Sequence, residues 1–537
     1  MVSDGNGKYV VLFYFVLFGV ALPYLVGSWW YGTQRMSKEG VLMKSADRLF
    51  RLYEDDIDEG GVITALGSGE EFRHKLKGDQ AESGLAAVES KITSAGETSV
   101  YAAGLSVKDK EKLEDLESGA NRKALALLWA YLGRVRLDDP ALERAKVAVA
   151  PVAHALTRPF TEISRAYGST APLLASYHAM QLIVQAIPPK ASPLLQLPFV
   201  TPAIAKAIEG DSKVRTTIQK FMDQPDVARR RAAVGKGRLT EEQYKETLRI
   251  ARELPYFRVA KAFFKVAGEK YIIPSSLVTL VVKGRFIPPG SEKVPEINEL
   301  DLEDVDPAED DLDAILGRKP KKIGKDENGK PIVASAQDDE PILPPPAFAP
   351  GFPRDVSPRW HVFLADSKQG RIAVPPFTFG QFDKPIFGED GTTPTFNMQT
   401  LKAQFQAPPQ AGHYTFVMHV VCDSYVGFDT KMEVTLVVDD ASKADEVEEE
   451  EEISEPEEGT YSPGGPSGPP SRRDGAANKP TDSLAGIMNA AKGGAPPPRR
   501  KKTEKTAEKE DESDDESGTE EEADDTSDTN TDTEPED

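Results

Sequence analysis

The sequence predicts an α+β multidomain protein: one transmembrane helix, an all-helical cytosolic domain, an immunoglobulin- or fibronectin-III-like β-sandwich and a disordered acidic tail. Three observations predict it. Tyr9 to Tyr31, YVVLFYFVLFGVALPYLVGSWWY, carries no charge. Apolar residues then recur with a helical period as far as about Tyr271, and from Ile272 the period becomes two. The boundaries are 1–8 for a short lumenal N-terminus, 9–31 for the span, 32–271 for the helical domain, 272–438 for the sandwich and 439–537 for the tail.

An uncharged stretch of this length crosses a hydrocarbon core of about 30 Å as a helix. Pro23 is tolerable in lipid, and Trp29, Trp30 and Tyr31 form the aromatic belt of a membrane interface, with Tyr9 at the other end. Asp4 and Lys8 roughly cancel before the span, whereas Arg35, Lys38, Lys44, Arg48 and Arg51 follow it. The positive-inside rule therefore places the N-terminus in the lumen and the bulk in the cytosol. Bulky aromatics after Gly27-Ser28 disfavour signal cleavage, so the segment reads as a retained anchor.

The 537 residues carry a formal net charge of −23 and a single cysteine, Cys422. An intrachain disulfide is thereby excluded, and the sequence has no Asn-x-Ser/Thr sequon. In the helical domain, Leu42, Ala46, Leu49, Phe50 and Tyr53 share one face. The period recurs in KALALLWAYLGRV, LERAKVAVAPVAHAL and APLLASYHAMQLIVQAI, the last stopped by Pro188-Pro189. A capping box is legible at Thr240 and Gln243, while Gly67 to Ser99 reads as a polar loop.

Strands are predicted in SSLVTLVVKGRF, WHVFLA, LKAQFQA, YTFVMHVVC and KMEVTLVV, and the Tyr414 entry resembles a tyrosine corner. An acid- and proline-rich insertion over 291–346 reads as a disordered loop. In the tail, Ser513, Ser517, Thr519, Thr529, Thr531 and Thr533 each precede an acidic residue by three positions, a pattern suited to acid-directed kinases. Such a tail predicts a basic partner.

No phosphate-binding loop, Ser/His/Asp arrangement or metal-ligand spacing is readable, so no enzyme, cofactor or metal is expected. His413 and His419 would face one side of a strand and Cys422 the other, which reads as packing. Arg229, Arg230 and Arg231 read as a solvated face, with lipid headgroups, acidic loops or ribosomal RNA as the functional alternative.

LPYLVGSWWYGTQRMSKEGVL from Leu22, SPLLQLPF from Ser192, KFMDQPDVARRRAAV from Lys220, IPSSLVTLVVKGRF from Ile273, VVCDSYVGFD from Val420 and the terminal TNTDTEPED together resemble the Sec-sixty-three family, in its fungal form. The resemblance implies a non-catalytic, Brl-like subunit of the post-translational translocation complex in the endoplasmic reticulum membrane. It further implies that the sandwich grips the protein-conducting channel and favours its open state. Asp423, Ser424, Tyr425, Gly427 and Phe428 form the sandwich-end loop proposed for that grip. The partners implied are the channel, a Sec-sixty-two-like protein with a basic N-terminal domain, and other translocon accessory subunits. Family members begin with a lumenal J domain that recruits a heat-shock-seventy-class chaperone. No histidine here precedes Pro-Asp, so the chain reads as a C-terminal part of such a protein, the alternative being a form that has lost chaperone recruitment. The helical-plus-sandwich pair is also similar to a module of a spliceosomal helicase, which leaves a membrane-tethered RNA or ribonucleoprotein adaptor as the alternative. The strongly acidic composition argues against nucleic acid as a partner.

Overall fold

The computed structural model describes residues 4–34, 36–37, 40–94, 102–210, 215–304, 323–325, 331–333 and 342–443. Ser513, Ser517, Thr519, Thr529, Thr531 and Thr533 lie outside them, as does all of the tail beyond Lys443.

The apolar stretch forms helix α1 (Asp4–Val16), a π-helical turn (Leu17–Ala21) and helix α2 (Leu22–Gln34) in direct succession. Within it, Lys8–Trp29 is long and apolar enough to cross a membrane, and none of it is buried against the rest of the chain. The π turn has a local cause. Pro23 offers no amide, and its ring would press on the carbonyl four residues back, so the backbone widens just before it. The amide of Leu22 accordingly donates to Leu17, five residues back. Tyr9 and Trp29 expose their rings at the two ends of the apolar window.

Helix α3 (Met43–Arg51) follows the membrane junction, and helices α4 (Glu59–Gly67) and α5 (Glu70–Lys75) pack beside it. The Glu71 carboxylate pins α3, accepting from the Leu42 amide at 2.8 Å and from the Ser45 hydroxyl at 2.5 Å. Helices α6 (Leu85–Ile92) and α7 (Val107–Glu114) complete this side. The region 67–99, expected as a polar loop, thus holds α5 and α6. Four buried apolar residues, Phe72, Leu85, Val88 and Ile92, suffice to seat them; the last three stand at i, i+3 and i+7, a helical period only two turns long amid polar neighbours.

The centre is made by α8 (Ala120–Leu132), α9 (Pro140–Tyr167) and α10 (Thr170–Gln185). Helix α8 is buried without interruption from Lys123 to Leu132. Lys123 survives there because its ammonium donates to the carbonyls of Gln80 and Ser83 at 2.6 and 2.7 Å. Helix α10 ends at Ala186, which turns left-handed ahead of Pro188-Pro189. Helices α11 (Pro202–Glu209), α12 (Ile218–Met222), α13 (Asp226–Ala233) and α14 (Glu241–Glu253) follow. The capping box of α14 forms as expected: the Thr240 amide donates to Gln243 Oε1 at 3.0 Å and the Gln243 amide to Thr240 Oγ1 at 3.3 Å.

Strands β1 (Phe257–Lys265) and β2 (Leu277–Phe286) form an antiparallel hairpin. The short β3 (Ile323–Lys325) and β4 (Pro331–Val333) pair with each other. Next come β5 (Trp360–Asp366), β6 (Ile372–Phe379), β7 (Met398–Gln406), β8 (Gly412–Cys422) and β9 (Thr430–Val438). They make two antiparallel sheets ordered β1-β2-β7 and β6-β5-β8-β9. Phe286 of the first sheet meets Trp360 of the second edge to face, 5.0 Å between centroids, and Phe382 meets both rings at 4.9 and 5.4 Å. The Tyr414 hydroxyl donates to the carbonyl of Gln410 at 2.9 Å, closing the corner expected there.

Four strands depart from the sequence reading: β3 and β4, which lie in the insertion expected as a disordered loop, and β1 and β6. Strand β1 lies inside 32–271, so the helical run ends at α14 and Pro255 rather than near Tyr271; as an edge strand, β1 is only partly covered and its alternation is faint. Strand β6 contains Pro375 and Pro376, which obscure it in sequence but are tolerated because it is an edge. The insertion 291–346 is also not free throughout. Residues 291–304 lie against the first sheet, where Arg285 donates to the carbonyls of Pro295 and Glu296 at 2.7 and 3.3 Å. Ion pairing supplies the hold that apolar burial could not: Asp304 meets Lys265 at 2.6 Å and Lys402 at 2.8 Å.

Truncating the aromatic bridge between the sheets should show its weight. Phe286→Ala is expected to cost about 3–5 kcal/mol in chemical unfolding, whereas Phe50→Ala, at a half-exposed ring of α3, should cost far less.

Candidate functional site

The turn between β8 and β9, Asp423 to Asp429, is the sequence-predicted grip, and the structure places it inside the molecule. Asp423, Ser424, Tyr425 and Phe428 are all buried, with Asp423 only 2% exposed. Gly427 adopts φ +78°, a left-handed conformation in which a side chain would be strained. These side chains form the joint between the β-sheets and the helical domain.

Three buried glutamines build that joint. Gln181 Nε2 donates to the carbonyl of Cys422 at 2.7 Å, and Gln185 Nε2 to that of Ser424 at 2.7 Å. Gln196 donates to the carbonyl of Val426 at 2.8 Å and accepts from the amide of the same residue at 2.8 Å. Alternate carbonyls of the chain, at 422, 424 and 426, are thus each met by a primary amide from the helical side. Gln181 and Gln185 can do this together because residues four apart share a helix face. Tyr425 fixes the other side: its hydroxyl accepts from the Phe348 amide at 3.0 Å, and its ring stacks on Phe428 at 5.2 Å.

Charges lock the two ends of the turn. Asp423 accepts from the amide of Arg359 at 3.0 Å, from its guanidinium at 2.9 Å and from the Ser424 hydroxyl at 2.7 Å. Burial pushes its carboxyl up, but His361, Arg359 and Ser424 outweigh this and hold it at about 2. The His361 ring stacks on Tyr177 of α10, 4.3 Å between centroids. At the other end, His178 of α10 lies between Glu59 of α4, 3.0 Å away, and Asp429, 3.3 Å away. Burial favours neutral imidazole there, yet Asp429 and Glu59 prevail and raise its pKa to about 9.

Arg229 is buried and does not present a solvated cation. It donates to the Tyr244 hydroxyl at 3.0 Å and the Met222 carbonyl at 2.6 Å, while Arg230 pairs with Glu241; Arg231 is exposed. His419 stacks on Phe363 at 4.9 Å, and burial pushes the Cys422 thiol up. Among the described residues no three His, Cys, Asp or Glu side chains are placed to hold a metal. The side chains of Trp30 and Tyr31 fall outside the described residues.

Sequence reasoning singled out the turn but missed Gln181, Gln185, Arg359 and Asp429. The available signal was two amides four residues apart on the otherwise apolar APLLASYHAMQLIVQAI. Gln185→Leu strands the Ser424 carbonyl and should destabilise the chain by about 1–3 kcal/mol in urea unfolding. The His178 contribution is complete below its ordinary pKa of 6.5 and is lost as pH rises through about 9. Stability should therefore fall across that window, and His178→Gln should flatten the profile.

Residues 105–435 match the family described as the Sec63 Brl domain. The chain is similar to "Translocation protein sec63" of Schizosaccharomyces pombe, 26% identical over 438 residues, covering 81% of this chain and 60% of that protein. It is similar to "Protein translocation protein SEC63" of Saccharomyces cerevisiae, 24% identical over 482 residues, covering 83% of this chain and 61% of that protein. The human "Translocation protein SEC63 homolog" is 25% identical over 312 residues, covering 53% of this chain and 38% of that protein. The chain thus spans about three fifths of the length of the two yeast relatives. With the family match covering more than half of its residues, from the central helices to β9, the chain belongs to the Sec-sixty-three (Sec63) family.

Proposed function

We propose that this chain is a non-catalytic subunit of the protein translocation machinery of the endoplasmic reticulum membrane, acting in the post-translational complex. Its single span would lie beside the protein-conducting channel, with the N-terminus lumenal and the bulk cytosolic. Family membership together with the apolar helix carries this reading. The two sheets, ordered β1-β2-β7 and β6-β5-β8-β9 and joined across their faces by Phe286, Trp360 and Phe382, support reading this part as a fibronectin-III-like sandwich.

The mechanism is a population shift. Contacts that are tighter to the open channel than to the closed one move the equilibrium by that difference and no more. Because Asp423 to Phe428 are engaged internally, the grip on the channel falls to exposed parts of the sandwich, and the glutamine joint would transmit load from it to the helical domain. The acidic tail would engage a basic partner such as the Sec-sixty-two-like protein, strengthened by phosphate at Thr529, Thr531 and Thr533.

Purification from mild-detergent extracts of its own membranes tests the reading. The channel and the basic companion should come with the chain in stoichiometric amounts, and Thr529, Thr531 and Thr533 changed together to Ala should weaken the companion's recovery. Recovery with RNA-binding proteins, or with neither partner, would overturn it.

A further inference from the structure

The outer face of the three-stranded sheet is cationic to a degree that its own stability does not favour. In the β1–β2 ladder, Arg258 stands directly opposite Arg285, and Lys261 directly opposite Lys283. Like charges facing each other across strands are destabilising. Lys265 and Lys402 share this face by register, Lys265 opposite Thr279 and Lys402 opposite Val281. The side over β2 and β7 is already served by an acidic segment of the same chain. Asp304 meets Lys265 and Lys402 and lies 3.9 Å from Lys283, while the Arg285 guanidinium holds the backbone of Pro295 and Glu296. That segment is held largely by charge, since Val294, Ile297 and Leu300 leave their side chains in solvent. On the β1 side, Arg258 and Lys261 remain exposed.

The C-terminal end of the sandwich leads to the hairpin loop that borders this face. The Asp439 amide donates to the Ile272 carbonyl at 2.7 Å, and the Lys443 ammonium sits 4.8 Å from the Tyr271 ring centroid. Both contacts lie at the β1–β2 hairpin, next to the Lys265 end of β1. Two residues further on begins DEVEEEEEISEPEE, residues 445–458. Fourteen extended residues reach about 46–50 Å, and a nine-residue strand such as β1 measures about 30 Å.

We propose that the acidic run 445–458 docks in cis along the β1 side of this face, against Lys261 and Arg258, beside the Lys265–Asp304 pair. It relieves the like-charge pairs and occupies the face before an acidic partner in trans can. A short tether gives the run an effective concentration of about millimolar, which suits a contact built from ion pairs. Salt screens it, because Arg258 and Lys261 are exposed.

A fluorescein-labelled peptide of residues 445–458 added to the full chain in mild detergent tests this by anisotropy. Changing Glu448, Glu449, Glu450, Glu451 and Glu452 to Gln in the full chain should free the face and tighten peptide binding about tenfold over wild type. Adding Arg258→Glu and Lys261→Glu should abolish that binding, as should about 0.5 M salt. Arg258 and Lys261 are exposed, so a thermal midpoint at or above that of wild type verifies that the charge-reversed chain is folded. Equal peptide binding by wild type and the Gln variant would show a face open to acidic partners in trans and overturn the proposal. Binding by neither chain, or binding insensitive to the charge reversal, would overturn it equally.

Discussion

The interaction on which the structure depends is the reading of one β-turn's backbone by three buried amides. Gln181, Gln185 and Gln196 meet alternate carbonyls of the chain leaving β8, and each of those carbonyls would otherwise be buried without a partner. A buried carbonyl stripped of its hydrogen bond costs more than the bond gains when made. Any shift that keeps these carbonyls buried but moves them off the amides carries that penalty, so helices and sheets are held in one register. The flanking charges act in the same sense: Asp429 and Glu59 together favour the cationic form of His178, and those residues come from the two sides of the joint.

This arrangement bears on the proposed role. A subunit that shifts a channel's equilibrium must carry differential binding energy without dissipating it in an internal hinge. Of the six residues from Asp423 to Phe428, Asp423, Ser424, Tyr425 and Phe428 are buried in that joint, so the residue pattern that makes the family resemblance specific is structural in this chain. Glu71 plays a related part at the membrane end, fixing α3 within a few residues of the span.

Much of this was legible in the sequence. The long apolar N-terminal helix, the box at Thr240 and five of the strands follow from charge, capping chemistry and a clean period of two. Four of the elements that escaped share one physical trait, namely sparse burial. Helices α5 and α6 rest on four apolar side chains, β1 is half-covered, and β6 hides two prolines at an edge where missing amides cost nothing. The turn itself was identified but its burial was not, because DSYVGFD is polar enough to suggest exposure. Its polarity is instead spent inward on Arg359, Gln181 and His178, partners hundreds or tens of residues away that no local pattern joins to it. The acidic stretch after β2 misled in a similar way. Composition alone predicts disorder there, whereas Asp304 has lysines from three strands to receive it.

The central claim is that helical domain and sheets form one cooperative body through this joint. Differential scanning calorimetry of the full chain in mild detergent tests it directly, since a joint that couples the two parts makes them unfold together. A single transition whose calorimetric and van't Hoff enthalpies agree is the predicted result. Two resolved transitions, or a calorimetric enthalpy well above the van't Hoff value, would show that sheets and helices unfold separately and would contradict the account.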